Sequence, residues 1–483
     1  MAGILALDVG TTAVKVCLFS SGLFPERRSV REYGLRTEGN RVECDGETYL
    51  EAIREGIREV LREGEIPEAV GLTTQGETLT VAGGDGAPLR PFLVWLDQRA
   101  EAEAELLRAD FPEARFYRET GLPGVTGALP LAKVMWLKKR EPELFGPGRR
   151  ILLLEDWLLH FLTGRFVTEK TLQTSTGWFS LGRDGWWPEA MQAAGLREEE
   201  LPELRESGSR AGEVTGPAAE ALGLPRGTPV YTGAMDQVAA SYAMDRLRPG
   251  AVTETTGTAL TVAAVLPDLG SLGRPDMPRT TVYRHALEGK YLLLPIGNTG
   301  GMCLTWFRNR FWPEKDYEAL SRAAEKVAPG AEGLLFLPFL DGSVDPDFCP
   351  EARGVFFGAG LNTGREHFTR AVMEGVAHLL AEMLAIPEKW GVPAGEVCSL
   401  GGGAASPLWQ QIKADLCGRE FLAPPCGEAA ALGAAMLAGL EPEKAAREME
   451  KAARYAPDPG NRVVYAKAHE KYRALWRAVR PMW

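Results

Sequence analysis

The run Ile4-Leu5-Ala6-Leu7-Asp8-Val9-Gly10-Thr11-Thr12-Ala13-Val14-Lys15-Val16-Cys17-Leu18-Phe19 reads as strand, tight turn, strand. Residues 4–7 form a short apolar run, 8–12 a glycine-containing turn, and 14–19 an extended run again. The same unit returns past Leu247-Arg248-Pro249-Gly250, where the composition breaks: 251–255 extended, Thr256-Gly257-Thr258 as the turn, 259–265 extended. Each copy sets a Gly-Thr pair between two strands rich in β-branched residues. The two pairs, Gly10-Thr11 and Gly257-Thr258, stand about half the chain apart. Two similar halves, 1–245 and 246–483, follow from this repeat.

Outward from these hairpins the chain alternates. Helical character is expected over 47–62, 131–139, 156–162 and 238–244, with strands at 70–73 and 228–232. The Gly/Glu/Pro-rich stretch 195–225 reads as loop with short helices. Phe368, Ala371, Val372, Val376, Leu379, Leu380 and Met383 fall on one face of a long helix. A strand at 397–400 runs into Gly401-Gly402-Gly403, and Ser406-Pro407 is a helix start, with serine as N-cap and proline at the first helical position. The segment 442–483 is charged and mostly helical. Strands alternating with helices imply an α/β class.

The composition excludes several functions. At 483 residues, 45% hydrophobic and 25% charged, the chain is long enough for two to four domains with substantial cores. A net charge of −11 argues against nucleic acid as a partner, because little is available to release counterions from a phosphate backbone. The seven cysteines are scattered, odd in number and free of C-x-x-C spacing, so neither a disulfide framework nor a zinc site is expected. No apolar run reaches the roughly 18 residues that span a bilayer, and the opening residues carry no basic segment or cleavage pattern. A cytoplasmic protein without a membrane partner is the expectation.

Three glycine turns at strand ends expose backbone N–H groups to an anion: 8–12, 256–258 and 401–403. A P-loop is absent. Asp236 follows a strand at the entry to a helix, where open α/β sheets hold ligands and where a carboxylate can take a proton from a substrate hydroxyl. Its local alternative is a helix N-cap. Gln75 and Glu77 follow the apolar run 69–72 and can hold polar substrate groups, and Trp95 can wall a carbon skeleton or lie in the core.

In order along the chain, these segments resemble the FGGY carbohydrate kinases, the family of glycerol, xylulose and ribulose kinases. The resemblance rests on Leu7-Asp8-Val9-Gly10-Thr11-Thr12, Leu93-Val94-Trp95-Leu96-Asp97-Gln98-Arg99, Gly233-Ala234-Met235-Asp236-Gln237, Thr256-Gly257-Thr258, Arg353-Gly354-Val355-Phe356-Phe357-Gly358, Arg370-Ala371-Val372-Met373-Glu374-Gly375 and Gly401-Gly402-Gly403-Ala404-Ala405-Ser406-Pro407-Leu408-Trp409. It implies two ribonuclease-H-like domains of the actin/Hsp70 type around a cleft for ATP and sugar, the first holding the sugar and first phosphate turn, the second the nucleotide. It implies Asp236 as general base and Asp8 as the acid near Mg²⁺. Gly10, Thr11, Thr12 and Lys15 then belong to the first phosphate turn and Thr258 to the second. Gly301, Thr305, Gly402 and Ser406 fall where the family holds ATP, and Gln75, Gly76, Glu77, Trp95, Asp236 and Gln237 where it holds the sugar or polyol.

Departures bear on the substrate. Gln75-Gly76-Glu77-Thr78 resembles glycerol kinases, but their arginine is Gly76 here and their substrate tyrosine falls at Ala128. Losing both enlarges the expected pocket and removes donors for a three-carbon polyol. The Met-His pair of xylulokinases is also missing. A ketopentose such as xylulose is the expected acceptor, with glycerol the alternative. An ATP-only or non-catalytic member of the same fold is a further alternative, to which retention of both Asp8 and Asp236 is opposed. A small-molecule substrate is the expected partner, and no residue pattern fixes oligomeric state, for which a twofold homodimer is the commonest arrangement.

Overall fold

A computed structural model describes residues 3–425 and 427–483. Its first half is organised by a six-stranded sheet. The opening run forms β1 (Ile4–Val9) and β2 (Ala13–Phe19), joined by the predicted turn, and β3 (Arg27–Glu32) follows. Helix α1 (Gly46–Val60) crosses over to β4 (Ala69–Thr74). Helices α2 (Pro130–Arg140) and α3 (Leu154–Thr163) precede β5 (Arg210–Glu213), β6 (Pro229–Met235) and α4 (Asp236–Leu247). The strand order is β5-β6-β4-β1-β2-β3. β1 and β2 are antiparallel, whereas β4 lies parallel to both β1 and β6.

The second half repeats the pattern. β7 (Val252–Thr256) and β8 (Leu260–Leu266) form the second hairpin, extended by β9 (Thr281–Arg284) and β10 (Tyr291–Leu294). Then come α5 (Met302–Phe311), the long α6 (Arg365–Lys389), β11 (Glu396–Leu400), α7 (Pro407–Cys417), β12 (Glu420–Ala423), α8 (Ala429–Leu437), β13 (Ala453–Tyr455) and α9 (Pro459–Val479). The order β10-β8-β7-β11-β12 mirrors β3-β2-β1-β4-β6, with the hairpin antiparallel and the next two strands parallel. This is the two-domain α/β architecture that the repeated hairpin predicts.

Central strands buried on both faces explain the unbroken apolar runs. Leu5, Leu7 and Val9 of β1 pack with Tyr49, Ile53 and Ile57 of α1. Ile4 and Ala6, on the other face, pack with Ala243 and Met244 of α4, Leu432 and Ala435 of α8, and Cys398 and Leu400 of β11. The small-residue helices α4 and α8 therefore lie in the core shared by the two halves. They cross with their backbones in contact: a Cβ at Gly433 would lie 2.0 Å from the Ala239 carbonyl oxygen.

Three local expectations change. The stretch expected as loop contains the strands Glu203–Arg205 and Arg210–Glu213, the latter an edge strand with little apolar signal. β6 runs three residues beyond its predicted end, through Met235. Asp236 is the first residue inside α4, and Met235 occupies the N-cap position, so Asp236 is not the N-cap. Ser406, by contrast, caps α7 as expected, its Oγ accepting from Trp409 N at 3.3 Å. No helix among the described residues is long and apolar enough to cross a membrane. The six described cysteines are free, and Cys426 lies outside the described residues.

Candidate active site

Most of the candidate residues lie at or just past the carboxyl ends of β1, β4, β6, β7 and β11, the end at which open α/β sheets hold ligands, while Lys15 lies in β2, Trp95 follows Leu93 in a separate loop, and Gly301 and Thr305 stand at the start of α5. In the first turn, Gly10 N donates to Ala13 O at 3.1 Å and closes the hairpin. The phenol of Tyr33 donates to the Gly10 carbonyl, and the Trp95 indole N–H donates to Thr11 Oγ1 at 2.9 Å. Trp95 is 40% exposed, so this predicted wall residue borders open space while tied to the turn. Thr12 is exposed.

Asp8 and Lys15 are directly opposite in the hairpin register and form an ion pair at 3.3 Å. Lys15 also reaches Glu428, just before α8, at 3.1 Å, so one ammonium bridges the two halves. Burial opposes the charge on Lys15, but Asp8 and Glu428 outweigh it and hold its ionisation above the usual lysine range. Burial raises the Asp8 carboxyl despite Lys15.

Asp236 is half-buried at the first position of α4, and its Oδ1 accepts from Gln237 N at 2.7 Å. Burial, followed by the charge of Asp8, pushes its carboxyl up to about 7; the Gln237 N–H and Lys15 pull the other way. A carboxylate poised near neutrality is suited to general-base work. Gln237 is half-buried beside it.

Glu77 has a left-handed backbone, φ 60°, and burial pushes its carboxyl up to about 7 against the opposing pull of Lys133. Sequence reasoning missed Lys133. Its side chain is fully buried in α2, and its ammonium donates to Val94 O at 2.8 Å and Glu77 O at 3.4 Å, joining the two loops that carry Glu77 and Trp95. Tyr283 of β9 was also missed: it lies in one buried cluster with Met235 and Val238, on either side of Asp236 and Gln237, so the second half packs against the first beside these residues. Gly76 does not simply open space, since a Cβ there would lie 2.9 Å from Met235 Sδ and 3.2 Å from Ser175 Oγ. Gln75 is the exception among the candidates. Its side chain is buried and its amide donates to Tyr49 Oη at 3.4 Å, leaving Oε1 without a partner among the described residues.

The five residues expected to hold the nucleotide in the second half come together. Thr258, Gly301, Thr305, Gly402 and Ser406 line one cavity of about 520 Å³, with Leu304, Tyr317 and Trp409 among its apolar surfaces. Two of its lining glycines have no room for a side chain: a Cβ at Gly301 would sit 2.7 Å from Gly257 O, and one at Gly403 would sit 2.6 Å from Thr256 Cβ, whereas one at Gly402 would meet open space. Thr305 Oγ1 meets Tyr317 Oη at 2.8 Å, and Ser406 Oγ meets Ser321 Oγ at 3.2 Å. Beneath the floor, fully buried Lys413 donates to Glu254 at 2.6 Å and to Thr256 Oγ1 at 2.8 Å, fixing the strand that leads into the second turn. A larger groove of about 950 Å³, between α1, α3 and the loop after Ala82, contains none of the candidate residues.

After burial, the charge of Asp8 raises the Asp236 carboxyl, and Lys15, paired with Asp8, pulls both acids down. The carboxylate oxygens of Asp8 are the donor type a hard divalent cation such as Mg²⁺ takes.

Residues 3–243 match the model of the N-terminal domain of the FGGY family of carbohydrate kinases, and residues 255–441 match that of its C-terminal domain. The chain is 28% identical to a xylulose kinase of Escherichia coli over 493 aligned positions, covering 99% of both proteins. It is 27% identical to a gluconokinase of Bacillus subtilis, covering 90% of this chain and 86% of that protein. The crystal structure of a xylulose kinase from Rhodospirillum rubrum superposes with a TM-score of 0.87 at 26% identity, covering 99% of both chains.

Proposed function

Starting from the membership of this chain in the FGGY family of carbohydrate kinases, we propose that it transfers the γ-phosphoryl group of ATP to a hydroxyl of a neutral ketopentose such as xylulose, with Asp236 as the general base. The chain is a phosphotransferase of the carbohydrate kinase class. The half-buried Asp236 carboxylate, raised to about 7 at the start of α4, carries the assignment of the base. It takes the proton of the attacking hydroxyl as oxygen bonds to the γ-phosphorus. The bond from that phosphorus to the bridging oxygen of ADP breaks, giving sugar phosphate and ADP. General-base assistance of this kind is worth about 10²–10⁴-fold.

The remaining residues bind and orient, which is most of what phosphoryl transfer asks of a protein. The cavity lined by Thr258, Gly301, Thr305, Gly402 and Ser406 takes the nucleotide, and the turn Gly10-Thr11-Thr12 with Lys15 receives the phosphates. Asp8 would hold Mg²⁺, which supplies charge neutralisation on the phosphates when bound. Glu77, Trp95, Gln237 and Gly76 take the sugar, while Gln75 supports the loop from behind. Residues 1–245 form the sugar half and 246–483 the nucleotide half, with Tyr283 and Glu428 reaching across.

The pocket charge favours a neutral acceptor over a sugar acid. Glu77 and Asp236 are the acids assigned to it, and the nearby cations are already balanced: Lys133 by Glu77, Lys15 by Asp8 and Glu428, and Arg99 by Asp97 at 2.7 Å and Glu43 at 2.8 Å. ADP release with Mg²⁺-ATP across D- and L-xylulose, D- and L-ribulose, glycerol, erythritol and gluconate tests the reading. A ketopentose giving the highest kcat/KM is expected. Highest kcat/KM with gluconate or glycerol would overturn the substrate class, and sugar-independent ATP turnover would overturn the kinase mechanism.

A further inference from the structure

β6 does not enter α4 as a regular strand. Its pairing with β4 slips between Tyr231 and Ala234. Gly233 sits in the slip, where a Cβ would lie 1.5 Å from the Leu72 carbonyl oxygen, so no side chain fits. A bulge takes N–H groups out of the strand ladder, and buried N–H groups require other partners. Three side chains supply the bonds. Gly233 N donates to Glu155 Oε1 at 2.8 Å, Met235 N donates to Thr171 Oγ1 at 3.1 Å, and Ala234 O accepts from Thr73 Oγ1 at 2.8 Å.

The acceptors are themselves fixed. The Thr171 hydroxyl donates to Glu169 Oε1 at 2.8 Å, which leaves its oxygen lone pairs for Met235 N. Glu169 Oε2 accepts from Thr171 N and from Ser207 Oγ, both at 2.7 Å. Glu155, Glu169 and Thr171 are all buried. Three buried polar side chains therefore converge on the three residues before Asp236.

We propose that Glu155 and the Glu169–Thr171 pair are positioning residues for phosphoryl transfer: they hold the bulge at 233–235 and through it aim the Asp236 carboxylate. The inference rests on the assignment of Asp236 as base. Burial, then the charge of Glu169, raises the Glu155 carboxyl well above the usual range, so a neutral acceptor at this position does the same work. Glutamine is then a faithful substitute for Glu155, and serine for Thr171. Methionine and valine at these positions keep the volume and remove the acceptor.

The test compares kcat, KM for ATP and thermal midpoint in the parent, Glu155→Gln, Glu155→Met, Thr171→Ser, Thr171→Val and Asp236→Asn, using the panel sugar that the parent turns over fastest. Displacing a reacting group by about 1 Å costs on the order of 10²-fold. Glu155→Met and Thr171→Val are expected to lose about 10- to 100-fold in kcat, with KM for ATP nearly unchanged. Glu155→Gln and Thr171→Ser should recover most of the parent rate. A purely structural role predicts a lower thermal midpoint with parent kcat, and that result overturns the proposal. So does equal loss in the conservative and non-conservative variants. If Glu155→Met does not fold, the near-isosteric Thr171→Val decides. Parent activity in Asp236→Asn would remove the base assignment itself, a result distinct from an inactive Asp236→Asn beside fully active Glu155→Met and Thr171→Val.

Discussion

Replacing Gly433 by alanine tests whether the α4–α8 crossing sets the geometry of the site. The added Cβ would stand 2.0 Å from the Ala239 carbonyl oxygen, 2.6 Å from its carbonyl carbon and 3.1 Å from its Cα. All three are backbone atoms, so no side chain can turn aside. Restoring an ordinary contact of roughly 3.4 Å or more requires the helices to part by more than about 1 Å, and overpacking of this kind costs about 1–3 kcal/mol. With an unfolding entropy of about 2.1 cal/mol/K per residue, that lowers the thermal midpoint of a chain this long by only about 1–3 °C. Function should respond far more. α4 carries Asp236 at its first position, while the residue preceding α8 is Glu428, which holds Lys15. A shift of about 1 Å between them is worth on the order of 10²-fold in kcat. Steady-state ADP release beside a thermal melt reads both effects, with Gly395→Ala, an exposed position with open space around its Cβ site, as control. Gly433→Ala with the kcat and melting temperature of Gly395→Ala would refute the argument.

Other consequences can be checked separately. Because Asp236 must be ionised to accept a proton and its carboxyl is raised to about 7, kcat/KM should fall as pH drops through neutrality; a limb near pH 4 would contradict this. Asp156 is fully buried, and burial raises its carboxyl to about 8. The folded state thus keeps a proton that the unfolded chain loses above about pH 4, so stability declines from about pH 4 to about pH 8 and then levels. Asp156→Asn should flatten this decline in thermal melts between pH 5 and 8, and an unchanged slope would exclude Asp156 as its source. Lys133→Met removes the donor that ties Glu77 O to Val94 O, and should raise KM for the sugar about tenfold or more while leaving KM for ATP unchanged. An equal rise in both would mean a general loss of structure.

The two hairpins were legible because a glycine turn between β-branched strands is a local signal, and its repetition gave the two-sheet architecture. Asp8 and Asp236 stand out for the same reason, each lying where a strand gives way to a turn or helix within a short motif, whereas Lys15, inside β2, was named only through the resemblance to the FGGY family. What escaped depends on partners distant in sequence. Lys133 reads as one more helical lysine until α2 is packed beneath the loops after β4 and before Asp97. Glu155 and Gly233 are 78 residues apart, Lys413 and Glu254 are 159 apart, and no periodicity links either pair. Tyr283 belongs to an edge strand whose apolar pattern says nothing about the other half of the chain. The true end of β6 was hidden because Gly233 resembles turn punctuation, whereas the close approach of Leu72 makes it a bulge inside a strand.

The most direct measurement is single-turnover formation of sugar phosphate from Mg²⁺-ATP and D-xylulose at pH 8, comparing the parent with Asp236→Asn. The parent should form sugar phosphate and ADP in equal amounts. Asp236→Asn should bind ATP with parent affinity yet lose about 10²-fold or more in rate. Equal rates in the two proteins would contradict Asp236 as the base, and a parent that hydrolyses ATP without phosphorylating the sugar would contradict transfer to this acceptor.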